Sequence, residues 1–162
     1  MSGIRLSTEP YYIDIQHVTH NACPITDEQL RAWAQLTLEP YCDRAELTIR
    51  LVEKEEIQEL NHIYRQKNTP TNVLAFPASY PKDIALDYPL LGDIIICAEV
   101  LREESTLSKT PLTAHWAHIV IHGILHLLGY DHIEDEAATE MQSIEIQLLA
   151  TLNIDNPYHE AN

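Results

Sequence analysis

The histidines of this 162-residue chain are concentrated between residues 115 and 132, where five of the nine occur. His122 and His126 lie four residues apart, and on a helix this spacing places two imidazoles on one face, about 6 Å apart along the axis. The pair His118 and His122 has the same spacing. His118 and His126 span about 12 Å of helix, too far for both to join His122 around one ion whose bonds to nitrogen are about 2 Å long. We therefore expect a third metal ligand from outside the helix.

Gly129 indicates where that third ligand comes from. A glycine three residues after His126 can adopt the left-handed conformation, end the helix and turn the chain back toward the same helix face. His132 can then reach an ion held by His122 and His126. Three protein ligands leave one coordination position open, which is typical of a catalytic metal. Zinc is favoured, although imidazole sites also accept nickel, copper or cobalt.

The resulting H-x3-H-x5-H spacing matches that of the metzincin metallopeptidases, in which a glycine makes the same reversal. Those peptidases carry a glutamate directly after the first histidine as general base, and here Gly123 occupies that position. This difference disfavours peptide hydrolysis by their mechanism. A zinc on three histidines can lower the pKa of bound water from about 16 toward 7 without a neighbouring carboxylate, so hydrolysis of another bond remains possible.

Alternating strands and helices must position these residues. A period-two pattern predicts a strand at 11–18, and further strands are predicted at 45–53, at the short apolar segment 73–76 and at 91–98. Helical spacing, together with a capping box that begins at Thr26, predicts helices at 26–38, 55–65, 100–107, 114–128 and 135–152. Thr113 is the expected N-cap of the histidine helix. Strands interleaved with helices predict a small sheet covered by helices.

Composition limits the class of protein. A chain of 162 residues, 45% of them hydrophobic, suits one domain over 1–162. Ten Lys and Arg against 25 Asp and Glu give a formal charge of −15, which argues against binding nucleic acid or an anionic membrane through a general basic face. Three scattered cysteines, no long apolar run and no basic, apolar leader lead us to expect a cytoplasmic protein that does not bind membranes.

The segment HGILHLLGYDH at 122–132 resembles the HGxLHLxGYDH motif of the bacterial YbeY endoribonucleases, which mature ribosomal RNA. The resemblance continues upstream through 60–77, 91–97 and 114–123. It implies a zincin-like α+β fold with a four-stranded mixed sheet. It also implies a single-strand-specific, metal-dependent endoribonuclease that acts at the 3′ end of small-subunit rRNA and in ribosome quality control. The implied partners are ribosomal RNA and the small ribosomal subunit or its assembly factors.

The resemblance also implies roles for individual residues. It assigns the metal to His122, His126 and His132, and the family's functional arginine to Arg65. A planar guanidinium at Arg65 would stabilise negative charge on a phosphoryl group. Ala75 departs from the VLSFP pattern common in relatives, which puts in doubt any role for a hydroxyl there.

Several assignments stay open at this point. Asp131 and His118 are candidates for orienting a metal ligand without binding the ion, and Tyr130 could stack on a base. The nucleophile could be metal-activated water or the ribose 2′-hydroxyl. A hydrolase of peptide or amide bonds is one alternative function, and a noncatalytic ribosome assembly factor with a structural metal is another.

Overall fold

One mixed sheet of four strands organises the protein. The structure is a computed structural model that describes residues 10–20, 22–79, 89–131 and 134–158. The strands are β1 (Tyr11–His17), β2 (Ala45–Val52), β3 (Val73–Pro77) and β4 (Leu90–Cys97). Their order is β1-β2-β4-β3, with β1, β2 and β4 parallel and β3 antiparallel to β4. The predicted α+β class and mixed sheet are confirmed, and every strand end lies within one residue of its predicted position.

Five helices in the described ranges cover this sheet. They are α1 (Asp27–Leu38), α2 (Lys54–Arg65), α3 (Ala98–Ser108), α4 (Leu112–Leu127) and α5 (Asp135–Thr151). The capping box of α1 is confirmed, because the Gln29 N–H donates to Thr26 Oγ1 and the Thr26 N–H donates to Gln29 Oε1. None of the helices in the described part of the chain has both the length and the apolar character of a bilayer span.

The predicted start of α4 was wrong. The N-cap is Pro111 and no side chain caps the helix, so Thr113 lies inside its first turn. Pro111 has an extended backbone, with φ −55° and ψ 138°, and its carbonyl accepts the His115 N–H at 3.0 Å. Proline at the beginning of a helix costs no hydrogen bond, because the N–H groups there have no partner within the helix. The helix can therefore begin earlier than the threonine suggests.

The two faces of the sheet carry separate cores. Along β4, Ile94 and Ile96 pack into the main core with α1, α4 and α5, whereas Ile95 and Cys97 pack with Ile57 of α2 on the opposite face. This alternation follows from the period of two along a strand. Full burial of one such isoleucine contributes roughly 1.5–3 kcal/mol. The helix α4 thus lies across one face of the sheet, and α2 lies across the other.

Gly123 brings α4 close to the sheet. A Cβ atom at this position would lie 3.2 Å from Ile94 Cγ2 and 3.3 Å from Val73 Cγ2. Glycine inside a helix costs about 1 kcal/mol relative to alanine, and close packing against β3 and β4 explains its presence. The histidine-bearing helix therefore lies directly beside the edge strand β3.

Gly92 and Gly129 both have positive φ, and substituting each by alanine should have different effects. At Gly92, φ is +135° and a Cβ would lie 2.2 Å from the Phe76 carbonyl oxygen across the β3–β4 pair. At Gly129, φ is +104° and a Cβ would meet nothing within 4 Å. Gly92→Ala should lower the free energy of unfolding by at least about 3 kcal/mol, since strain and a backbone clash combine. Gly129→Ala should cost only about 1–2 kcal/mol of backbone strain. Urea denaturation followed by circular dichroism measures both, and equal losses would contradict the clash at Gly92.

Candidate active site

A cleft of about 790 Å³ opens where the end of α2, the strand β3 and the exposed face of α4 meet. Five of the candidate site residues line it, namely Arg65, His122, His126, Tyr130 and Asp131. His118 lies one turn earlier on α4 and is not among the described residues of the cleft wall. His132 is outside the described residues. The fold therefore brings the predicted arginine and two predicted metal ligands, from different elements, to one cavity.

The two histidines of the cleft point ring nitrogens at each other. His122 Nε2 and His126 Nε2 are 3.1 Å apart, and their ring centroids are 4.6 Å apart. Two imidazole nitrogens bound tetrahedrally to one zinc, each at about 2.0–2.1 Å, lie about 3.3 Å apart. Both side chains are half-buried, so they are held by the fold yet open to the cleft. The nitrogen pair thus has the chemistry and the spacing to share one ion.

A buried carboxylate fixes the orientation of His122. Glu145 of α5 has no exposed side-chain surface, and its Oε2 lies 2.8 Å from His122 Nδ1. Its Oε1 lies 2.7 Å from His118 Nε2 and also accepts the Tyr158 hydroxyl. When Nδ1–H donates to Glu145, the lone pair of His122 is on Nε2, the atom that faces His126. The carboxylate therefore prepares His122 to bind a cation from the cleft side.

These contacts also set the charge state of Glu145. Burial alone would raise the pKa of this carboxyl, but hydrogen bonds from His118, His122 and Tyr158 outweigh it and lower the pKa to about 2. Burial and the bond to Glu145 raise the pKa of the Tyr158 phenol above its usual range. Glu145 is accordingly an anion, and Tyr158 a neutral donor, throughout the physiological pH range.

The turn after α2 positions Arg65 at the cleft. Gln66 ends the helix with a left-handed backbone, φ 58°, and its N–H donates to the His62 carbonyl. Asn61 is 3% exposed, and its Nδ2 donates to the Thr69 carbonyl at 2.9 Å. That bond ties the loop to the helix, which gives the buried amide a partner and fixes the helix end. Arg65 and Lys67 both reach the cleft wall as a result.

Comparisons with known proteins identify the family. The family model described as Endoribonuclease YbeY matches residues 15–153. The chain belongs to the Endoribonuclease YbeY family. A Legionella pneumophila protein named Endoribonuclease YbeY is 54% identical over 148 residues, covering 91% of this chain and 94% of its own. One from Pseudomonas putida is 54% identical over 146 residues, covering 90% and 92%. The family expected from the resemblance of the sequence motif is confirmed.

A solved structure supports the fold of this YbeY-family chain. The solution structure of TM1509 from Thermotoga maritima aligns with a TM-score of 0.59 and 24% identity. The alignment covers 91% of this chain and 99% of the other. At this level of identity the likeness concerns the fold alone. It agrees with the α+β arrangement around a four-stranded mixed sheet.

Neither Glu145 nor Tyr158 is predicted from the sequence, although one signal for Glu145 was present. The buried residues of α5 are Met141, Glu145 and Leu149, each four apart, so a carboxylate occupies the apolar stripe of this helix. A buried charge requires partners, and histidines were available. Tyr158 carries no comparable signal, because it follows α5 in a segment without periodicity. It also lies beyond the residues that the YbeY family model matches.

Two groupings of residues in this YbeY-family chain offer ligands to a metal. His122 and His126 form the first, at the cleft. His118, His122 and Glu145 could also hold a metal ion, since one ligand atom from each lies within 4.8 Å of the others. Both groupings use His122, whose Nε2 faces His126 and whose Nδ1 faces Glu145. In the second grouping, the Glu145 oxygens hydrogen-bond directly to His118 and His122 at 2.7 and 2.8 Å. These distances are shorter than the roughly 3.3 Å between two ligand atoms bound to one zinc.

Replacing Glu145 by glutamine should weaken metal binding about 10- to 100-fold, because a neutral amide orients His122 less firmly and makes it less basic. Chelator competition measures the metal Kd. The substitution should also destabilise the metal-free protein in a pH-dependent way. Since the pKa of Glu145 falls from 4.5 to about 2 on folding, its contribution is complete above pH 4.5 and is lost as the pH falls through about 2. Urea denaturation of both proteins should therefore give a difference that shrinks toward pH 2, and a constant difference would contradict the role of the charge.

Proposed function

We propose that this protein is a zinc-dependent endoribonuclease that cleaves single-stranded RNA during maturation of the 3′ end of small-subunit ribosomal RNA and during ribosome quality control. The observation that carries the proposal is the single cleft shared by Arg65 and the paired nitrogens of His122 and His126. A cation site in the same cleft as a guanidinium suits an anionic phosphodiester. The relatives named as endoribonucleases support the same activity.

The proposed metal ligands are His122, His126 and His132. The first two fit an ion in the cleft by the spacing of their Nε2 atoms, and His132 is added by its place in the family motif. We prefer this set to the grouping with Glu145 because the Glu145 carboxylate is fully buried and substrate reaches only the cleft side of His122. In the proposed arrangement Glu145 and His118 support His122 from behind. Asp131, which lines the cleft and directly precedes His132 in the sequence, is a second candidate for orienting a ligand.

When bound, zinc supplies Lewis acidity that makes a strong nucleophile available near neutral pH. The chain's own residues bind and orient the phosphodiester. The Arg65 guanidinium donates two parallel hydrogen bonds to the nonbridging oxygens, where negative charge grows as the phosphorus–oxygen bond breaks. Lys67 adds attraction for a neighbouring phosphate from the same wall. Gly123 stands where the metzincin peptidases carry their glutamate general base. The proposed reaction accordingly uses no carboxylate at that position.

The strong negative charge of the chain bears on its partners. With a formal charge of −15, general attraction to RNA is weak, so the local cations of the cleft must carry phosphate recognition. We propose that docking on the small ribosomal subunit or one of its assembly factors raises the effective concentration of the enzyme near its substrate. Such a role places the protein in the cytoplasm.

Cleavage of a single-stranded ribosomal RNA substrate tests the function. Zinc-loaded protein should release fragments, chelation should stop release, and added zinc should restore it. Fragments ending in a 2′,3′-cyclic phosphate would identify the ribose hydroxyl as nucleophile, and a linear end would identify water. Cleavage of an unstructured protein but not of RNA would favour the peptide or amide hydrolase. Absence of both activities, with loss of folding on chelation, would favour a noncatalytic assembly factor whose metal is structural.

A further inference from the structure

An exposed aromatic side chain stands at the cleft with no role in metal or phosphate binding. Tyr64 is 61% exposed, more than most large apolar or aromatic side chains in the described part of the chain. It immediately precedes Arg65 on α2, and both line the cleft. Exposing a large aromatic ring to water is unfavourable, and rings of this kind commonly serve in recognition. Tyr64 thus has a position and an exposure that its packing alone does not explain.

Phe76 of the edge strand β3 holds Tyr64 in place. The ring centroids are 5.1 Å apart with an interplanar angle of 68°, an edge-to-face contact. Such a contact covers at most one face of the tyrosine ring, and because 61% of the residue is exposed, ring surface stays open to a ligand. Because the ring is already positioned, a ligand that stacks on it loses little additional conformational entropy.

The other aromatic residue of the cleft is less accessible. Tyr130 is half-buried, and its ring packs edge-to-face on Tyr41 at 5.8 Å. Burial and a hydrogen bond with Tyr130 raise the pKa of Tyr41 to about 12, so the two phenols are engaged with each other. The ring that can accept a planar ligand is therefore Tyr64 rather than Tyr130.

We propose that Tyr64, supported by Phe76, is a stacking subsite for an unpaired nucleobase of the RNA next to the phosphate that Arg65 binds. The proposal rests on the proposed function and names the part of the substrate that this wall recognises. A base inside a duplex has both faces covered by its neighbours, so only an unstacked base can enter the subsite. Tyr64 thereby contributes to selection of single-stranded RNA.

The charge of the protein favours such a subsite. Electrostatic binding of RNA scales with the number of phosphates neutralised, and the described cleft wall offers two cations, Arg65 and Lys67, together with the anion Asp131. A formal charge of −15 on the whole chain adds repulsion. Stacking of a base on an aromatic ring does not depend on net charge and tolerates any base. It can therefore supply affinity that the electrostatics of this protein do not.

Steady-state cleavage by the zinc-loaded protein tests the subsite. Tyr64→Leu should raise KM for single-stranded RNA roughly 5- to 100-fold with little change in kcat, whereas Tyr64→Phe and Tyr64→Trp should keep KM near that of the parent. Tyr12→Leu is the matched control, since Tyr12 is 46% exposed and lies on β1 at the opposite edge of the sheet. Thermal unfolding of every variant excludes a loss of folding as the cause.

Competitors of known structure separate the base from the backbone. A ten-nucleotide single-stranded RNA should inhibit cleavage by the parent protein roughly 5- to 100-fold more strongly than it inhibits cleavage by the Tyr64→Leu variant. An RNA of equal length whose bases are all replaced by hydrogen should inhibit the two proteins equally, and so should a duplex. Equal inhibition of both proteins by the intact single strand, or a loss that follows Tyr130→Leu instead, would overturn the subsite while leaving the nuclease intact. Absence of cleavage by the parent protein would instead contradict the proposed function.

Discussion

Replacing His126 by alanine should remove the bound metal and lower the rate of RNA cleavage at least about a thousand-fold, because metal catalysis supplies several kcal/mol of transition-state stabilisation. The expectation follows from the 3.1 Å separation of His122 Nε2 and His126 Nε2, which lets both nitrogens bind one ion. Loss of one of the three proposed ligands would leave too few to hold a catalytic zinc firmly. Elemental analysis of the purified variant measures the metal, and fragment release measures the activity.

His20→Ala is the control for this experiment, since His20 is an exposed histidine that does not line the cleft. Circular dichroism of both metal-free variants should show an unchanged fold. A second variant, His118→Ala, distinguishes the two groupings of ligands. In the proposed arrangement His118 binds Glu145 and not the metal. His118→Ala should therefore weaken metal binding but leave one ion per chain at saturating zinc. If His118→Ala removes the metal and His126→Ala retains it, the ion is held by His118, His122 and Glu145 instead.

Replacing Arg65 by alanine should lower kcat roughly 100- to 1000-fold, the usual effect of removing a donor to a developing oxyanion. Metal content should not change, because Arg65 comes from α2 and contributes no ligand. Arg65→Lys should restore only part of the rate, since an ammonium group cannot donate two parallel hydrogen bonds in the plane of a phosphoryl group. The measurement is single-turnover cleavage by zinc-loaded protein.

Arg102→Ala provides the matched control, because Arg102 lies on the exposed face of α3 away from the cleft. It should cleave RNA at the rate of the parent. If Arg65→Ala also cleaves at that rate, Arg65 is a solvated residue at a helix end and the proposed mechanism is wrong. If neither variant nor parent cleaves, the assembly-factor alternative gains support.

Local patterns made most elements of the fold predictable. Strands such as 45–52 alternate buried and partly exposed residues, and the Thr26 capping box marks the first turn of α1. Each of these signals lies within a few residues of the structure it determines. The start of α4 was misjudged for the same local reason, since a threonine inside the first turn resembled a cap while the preceding proline formed the actual boundary.

The candidate site also combines features that short sequence segments predict with features that they do not. The sequence by itself determined the family, the pairing of His122 with His126 and the glycine that ends the helix, because helical spacing and a left-handed glycine are properties of one short segment. The placement of His132 stays a prediction. The role proposed for Arg65 came from the family motif.

Only the tertiary structure decided which distant residues meet. Arg65 shares a cleft with the histidines because α2 and α4 lie on opposite faces of the sheet and both reach the edge strand β3. Glu145 and Tyr158 support His122 because α5 packs against α4. Such contacts join residues far apart in the chain, and their free energy comes from burial and hydrogen bonds that no short window of sequence contains. Chemistry carried on one helix could thus be predicted, whereas the groups that orient it depend on how the helices pack.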